Sequence, residues 1–158
     1  MSFSSTFDLP YIRVICLSSR DISLIVAKVL RVDVVCALMA QKNTYFVAKR
    51  ADHKASGGRW EFPGGKVEEG ESPAEAIIRE LAEELDVQSA VEQVLEPILV
   101  EKKNFALRLI PVKVSIQGTI LLKEHSDGRW LSPSDLLGLD LCEGDREIVH
   151  RYLIGGSM

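Results

Sequence analysis

The spacing of apolar and polar residues changes along the chain, and each change marks an element. Residues 32–40 are an unbroken run of strand formers, 41–44 are polar, and 45–50 form a second run, which predicts a β-hairpin. Residues 51–59 are rich in Gly, Ser, Asp and Lys and read as a loop. Two short extended pieces follow within 60–72, around Pro63-Gly64-Gly65. Beyond them the period becomes helical. Ser72 suits an N-cap, Pro73 the first helical position and Glu75 the capping-box position. Ala74, Ile77, Ile78, Leu81 and Leu85 supply the apolar stripe. Strands are expected near 92–101, 105–116 and 119–123, with a turn at Asp127-Gly128. Ser132-Pro133 opens a short helix near 133–138, and Asp145 to Leu153 reads as a terminal helix capped by Asp145. The class is α/β or α+β, with helices covering a sheet.

The chain has 158 residues, enough for one domain whose core needs no disulfide or metal staple. A domain at 31–158 is expected, preceded by an arm or extra strand at 1–30. The two apolar stretches of that arm are broken by Arg13, Arg20, Asp21, Lys28 and Arg31, which argues against a membrane span. The arm also lacks the order of regions of a secretory signal, and Asp8 and Asp21 count against a targeting peptide. Net charge is −4, so no basic field exists to hold a long nucleic acid. Cys16, Cys36 and Cys142 are far apart and odd in number, which fits buried thiols in a reducing, cytoplasmic setting. His53, His125 and His150 are scattered and read as surface or loop residues, and Trp60 and Trp130 as structural.

The chemistry concentrates in Arg79-Glu80-Leu81-Ala82-Glu83-Glu84. Glu80, Glu83 and Glu84 stand at i, i+3 and i+4, so like charges converge on one helix face at a cost of a few tenths of a kcal/mol per pair. Such a cluster is either a solvated acidic face or a site for a hard divalent cation such as Mg²⁺ or Mn²⁺. The Gly64-Gly65 pair favours the second reading, because it lets backbone approach a ligand closely.

Gly65, five residues, Glu71, seven residues and then Arg79-Glu80-Leu81-Ala82-Glu83-Glu84 resembles the box of the Nudix hydrolase family, GX5EX7REUXEEXGU, where U is aliphatic. One defining position departs from it: Asp86 replaces the late Gly, ahead of an aliphatic Val87. The segments WEFPGGKVEEGE, KRADHKASGGRW and KEHSDGRWLSPSDL extend the similarity to the MutT-like branch, over about residues 32–154.

That resemblance implies a Nudix fold, a mixed sheet sandwiched between helices. It implies Glu80, Glu83 and Glu84 as Mg²⁺ ligands (Mn²⁺ as substitute), with the Gly64 carbonyl completing the set and Glu71 helping through water or by contact with a neighbour of the ligands. Arg79 would orient the glutamates, and Glu124 would be a further ligand or general base, against the alternative of a solvated loop residue. Arg50, Phe62 and Asp145 match substrate-contacting positions. Phe62 could equally be core. Asp145 replaces an Asn: an ionised Asp offers only acceptors to a base, and a protonated one could serve other bases. Asp86 should take the left-handed backbone of the missing Gly at a cost of about 1 kcal/mol or less.

The implied activity is Mg²⁺-dependent hydrolysis of a nucleoside triphosphate, with 8-oxo-dGTP among the candidates, to the monophosphate and pyrophosphate. Removal of pyrophosphate from RNA 5′ ends, a CTP or dCTP pyrophosphatase, and a catalytically silent nucleotide sensor are the alternatives. No stable nucleic-acid complex and no membrane association are expected, and the state is monomer or homodimer.

Overall fold

The computed structural model describes residues 12–14, 26–28, 30–103 and 105–155. Two short strands, β1 (Ile12–Val14) and β2 (Val26–Lys28), pair antiparallel as a separate small sheet. The rest of the expected N-terminal arm, with Cys16, lies outside the described residues.

The main sheet is mixed. It is built on β3 (Leu30–Gln41), which runs parallel to β9 (Phe105–Gln117) from Leu30↔Phe105 to Met39↔Val114. β4 (Thr44–Arg50) returns from β3 as the expected hairpin and carries β10 (His125–Leu131) on its far side. β5 (Trp60–Glu61) pairs with β4, and β6 (Gly64–Lys66) pairs with β3. β7 (Gln88–Val94) and β8 (Ile98–Glu101) pair antiparallel with successive halves of β9.

The long apolar run of β3 follows from burial on both faces. Val35, Ala37 and Met39 face α1 (Pro73–Leu85), whose Ala76, Ile77, Leu81 and Leu85 are fully buried. Cys36 and Leu38 face the opposite layer, α2 (Pro133–Leu137) and α3 (Glu143–Ile148), with Leu136, Ile148 and Val149. The expected sandwich of helix, mixed sheet and helix is what forms.

Local chemistry sets the ends of α1. The Ser72 side chain accepts from the Glu75 N–H at 3.2 Å, while the Glu75 carboxylate accepts from the Ser72 N–H at 2.8 Å. At the other end Asp86 takes a left-handed backbone (φ 57°, ψ 36°), and its carboxylate pairs with Lys123 at 2.9 Å.

Several expectations are corrected. Ile78 is exposed, and Ala76 fills its place in the stripe. Residues 92–101 are not one strand: β7 begins at Gln88, and the ladder breaks at Pro97, which has no N–H to give. Residues 119–123 are not a strand. Their backbone donors serve the C-terminal carbonyls of α1 instead, Leu121 N–H to Leu85 and Lys123 N–H to Glu84, at 2.9 and 3.0 Å. Asp127-Gly128 is not a turn but part of β10. Gly128 stands there because a side chain would strike the Phe46 ring. The last helix starts at Glu143 with Cys142 as N-cap and ends in a π-helical turn, Val149–Ile154. Asp145 therefore sits inside the first turn, not at the cap.

The reciprocal cap leads to the first prediction. Ser72→Ala should cost about 1 kcal/mol, a fall in Tm of roughly 2–4 °C for a domain this size. An unchanged thermal melt would show that the cap contributes nothing.

Candidate active site

Two glycines bring α1 against the sheet. A side chain on Gly64 would collide with the Val35 carbonyl, and one on Gly65 with the carboxyl of Glu80. Their bareness lets β6 lie beneath the acidic face of the helix. The Gly64 N–H donates to Glu84 Oε2 at 3.2 Å. Glu84 is a rare buried carboxyl, 7% exposed. Burial, and then the nearby charges of Glu80, Glu61 and Glu124, push its pKa up to about 8.

Arg79 holds the rest of the cluster. It donates to both oxygens of Glu71 (2.8 and 3.0 Å), to Glu80 Oε1 (2.8 Å), to Glu83 Oε2 (3.3 Å) and to the Lys66 carbonyl (3.0 Å). The Glu71 and Glu80 carboxylates push its own pKa further up, and it holds the Glu71 carboxyl below its ordinary range. The orienting contact expected of Arg79 is present, and Glu71 touches the cluster through Arg79. Glu83 lies at the exposed rim.

Glu124 arrives from the other side. The Lys123 N–H bonded to the Glu84 carbonyl brings it beside the C-terminal half of α1. Its carboxylate accepts from Lys54 Nζ at 2.6 Å, and that bond holds its pKa down. It is neither unpartnered nor buried.

Among the described residues, no three His, Cys, Asp or Glu side chains stand at metal-ligand spacing. The oxygens of Glu80 and Glu83 are turned to Arg79, and that of Glu84 to the Gly64 N–H. The donor set nonetheless suits a hard divalent cation. It is all oxygen, and Glu84, raised by burial and then by its acidic neighbours, is a group whose charge a cation would relieve. Glutamate torsions can carry these oxygens from Arg79 to an ion without moving the backbone.

Phe62, Asp145 and Arg50 lie at the adjoining end. Phe62 is 3% exposed and belongs to the α2–α3 layer of the core, so its packing role is real. Asp145, also buried, accepts from the Phe62 N–H at 2.8 Å. Burial pushes its pKa up to about 8, which favours the protonated form, the one that can donate as well as accept. Arg50 Nε donates to the Ala55 carbonyl, and its Nη1 pairs with Glu61 Oε2, both at 2.7 Å. Beside them Arg129 stacks over Trp60 at 4.9 Å, and Trp130 packs edge-on to Phe46.

Sequence reasoning missed Glu61, His125 and Lys54. The one available signal was a lone charge between aromatics in Trp60-Glu61-Phe62. His125 corrects its expected place at the surface: its side chain is 3% exposed, and Nε2 lies 3.0 Å from Glu61 Oε1. Cys36 and Cys142 are free thiols, as expected. No helix among the described residues is long and apolar enough to cross a membrane.

Comparison with known proteins agrees with this arrangement. The NUDIX domain family model matches residues 29–152. The CTP pyrophosphohydrolase of Escherichia coli (strain K12) is 30% identical over 126 residues, covering 77% of this chain and 91% of that protein. The 8-oxo-dGTP diphosphatase of the same strain is 33% identical over 101 residues, covering 63% of this chain and 76% of that protein. The crystal structure of the MutT protein from Methanosarcina mazei Go1 superimposes with a TM-score of 0.74 at 23% identity, over 82% of this chain and 98% of that one, a likeness of fold. With its box glutamates, its glycine pair and this sheet, the chain belongs to the Nudix hydrolase family.

Proposed function

We propose that the protein hydrolyses nucleoside triphosphates to the monophosphate and pyrophosphate, with Mg²⁺ as its natural ion and Mn²⁺ as a substitute. The observation that carries this reading is the buried Glu84, crowded by Glu80, Glu61 and Glu124 over the Gly64–Gly65 backbone. Apolar burial has no use for such a group, whereas a cation–polyphosphate complex does.

In this reading Glu80, Glu83 and Glu84 hold the cation, and the Gly64 carbonyl adds an oxygen. When bound, a divalent cation neutralises the diphosphate and lowers the pKa of attacking water. Arg79 keeps Glu71 and the ligand glutamates in register. Glu124 stays ionised through Lys54 and serves as a proton acceptor for water or as a further ligand. Arg50 donates to substrate oxygens. Phe62 lines the base, and Asp145 presents a hydroxyl donor from the oxygen that does not receive the Phe62 N–H. A diffusible nucleotide and free thiols accord with a cytoplasmic enzyme that clears the nucleotide pool, monomeric or homodimeric.

Two choices of base are in play. Similarity to 8-oxo-dGTP diphosphatases supports oxidised dGTP. The cytosine reading is favoured by the greater length over which the E. coli CTP pyrophosphohydrolase matches. A neutral Asp145 can donate to cytosine N3 or to a guanine carbonyl, so the carboxyl alone serves either.

A panel of NTPs, oxidised dNTPs and triphosphorylated RNA with Mg²⁺ decides the reaction. The expected products are a monophosphate and pyrophosphate, from free nucleotides faster than from RNA. Orthophosphate as the sole product, or no turnover, would overturn the reading. Glu84→Gln should lower kcat by about a hundredfold or more, and a loss within a few-fold would remove the glutamates from the reaction.

Asp145 also carries a pH prediction. Unfolded, its carboxyl ionises near its ordinary 3.8; folded, near 8. Above about pH 4 the folded chain keeps a proton that the unfolded chain has lost, so stability falls as pH rises toward 8. Asp145→Asn has no proton to lose. Its Tm advantage over wild type should be small at pH 4.5 and grow steadily to pH 8, by roughly 2–4 °C for each kcal/mol relieved. A pH-independent difference would contradict the burial of an ionisable group.

A further inference from the structure

Three strands meet where the cation end of the site joins the base end. Arg50 closes β4, Glu61 closes β5, and His125 opens β10 directly opposite Arg50. Glu61 sits between the other two, with Oε2 on Arg50 Nη1 at 2.7 Å and Oε1 3.0 Å from His125 Nε2. His125 comes from a distant part of the chain, 64 residues from Glu61, and Glu61 is 15% exposed on its side chain against 3% for His125.

The hydrogens can be assigned. A carboxylate only accepts, so the contact from the ring must be a donation from Nε2. His125 Nδ1 is buried with no partner among the described residues, and a buried nitrogen without an acceptor is a poor place for a hydrogen. The ring hydrogen therefore sits on Nε2, facing Glu61. Arg50 spends Nε–H on the Ala55 carbonyl and one Nη1–H on Glu61. Its fork has five N–H groups, so the remainder of Nη1 and all of Nη2 stay available to an incoming acceptor.

We infer that Glu61 and His125 are positioning residues. His125 fixes the Glu61 carboxylate, and Glu61 fixes the Arg50 fork so that its free N–H groups meet a phosphate oxygen of the nucleotide. The inference rests on the proposed triphosphate hydrolysis. Its physical reason is that a guanidinium on a long side chain loses rotamer freedom when it binds. A fork already clamped on two N–H groups has lost that freedom beforehand. Glu61 also lies within electrostatic reach of both Glu84 and Asp145, which places the clamp between the two ends of the site.

A double-mutant cycle on pyrophosphate release with Mg²⁺ and the preferred nucleotide tests the chain of contacts. His125→Ala should raise KM about tenfold with kcat changed less than about threefold. His125→Gln, whose side-chain amide keeps a donor near the Nε2 position, should recover most of that loss. Glu61→Gln should behave like His125→Ala. In the Arg50→Ala background the His125→Ala penalty should vanish, because the clamp then has nothing to hold. Equal penalties with and without Arg50, or a KM for His125→Ala matching wild type, would overturn the inference while leaving the hydrolysis in place. A wild-type chain that turns over no triphosphate overturns both. His125→Gln keeps the test open if His125→Ala does not fold.

Discussion

Carboxylates repel one another, and this protein stacks them against a backbone that cannot give way. Glu84 is buried with Glu80, Glu61 and Glu124 around it, and its carboxyl is driven up to about 8. The crowding is tolerable for two reasons. Arg79 neutralises the outer members through four donated hydrogen bonds. Gly64 and Gly65 bring main-chain dipole rather than side-chain bulk to the inner ones. The rest of the fold exists, in this sense, to hold α1 over β6. The capping box fixes where the helix begins, the 119–123 segment ties down its last carbonyls, and the parallel β3–β9 pair is the floor on which both glycines lie.

The same carboxylate pattern explains why the two ends of the site are electrically joined. Glu61 acts on Glu84 in one direction and on Asp145 in the other. In the proposed reading it neighbours both the cation-binding face and the base end, and it is held by Arg50 and His125. A nucleotide spans that distance, with its anionic phosphates at one end and its uncharged base at the other. The protein's own groups are graded the same way, from the acidic helix face to Asp145, whose burial favours the uncharged form.

Much of this was legible in the sequence because it is local. The hairpin, the glycine pair, the Ser72 cap and the glutamate triplet depend on neighbours within a few residues, and each formed where expected. The left-handed Asp86 was legible for the same reason. What was hidden depends on residues far apart in the chain. The segment 119–123 has strand-like composition, yet the unpaired carbonyls of α1 claim its donors. Asp127-Gly128 looks like a turn, yet the glycine answers to Phe46. His125 looks like a loop residue beside a charged pair, and only the β4–β10 register carries it inward to Glu61. Asp145 has the composition of a cap, but the helix starts two residues earlier and turns the carboxyl into the core, where burial raises its pKa.

The central claim is that this carboxylate cluster exists to take a divalent cation. Mn²⁺ binding followed by the loss of the free-ion electron paramagnetic resonance signal, without any nucleotide, tests it most directly. Wild type should bind Mn²⁺, Mg²⁺ should displace it, and Glu84→Gln should weaken binding by about tenfold or more. Equal Mn²⁺ affinity for wild type and Glu84→Gln, or no saturable binding to either, would contradict the account.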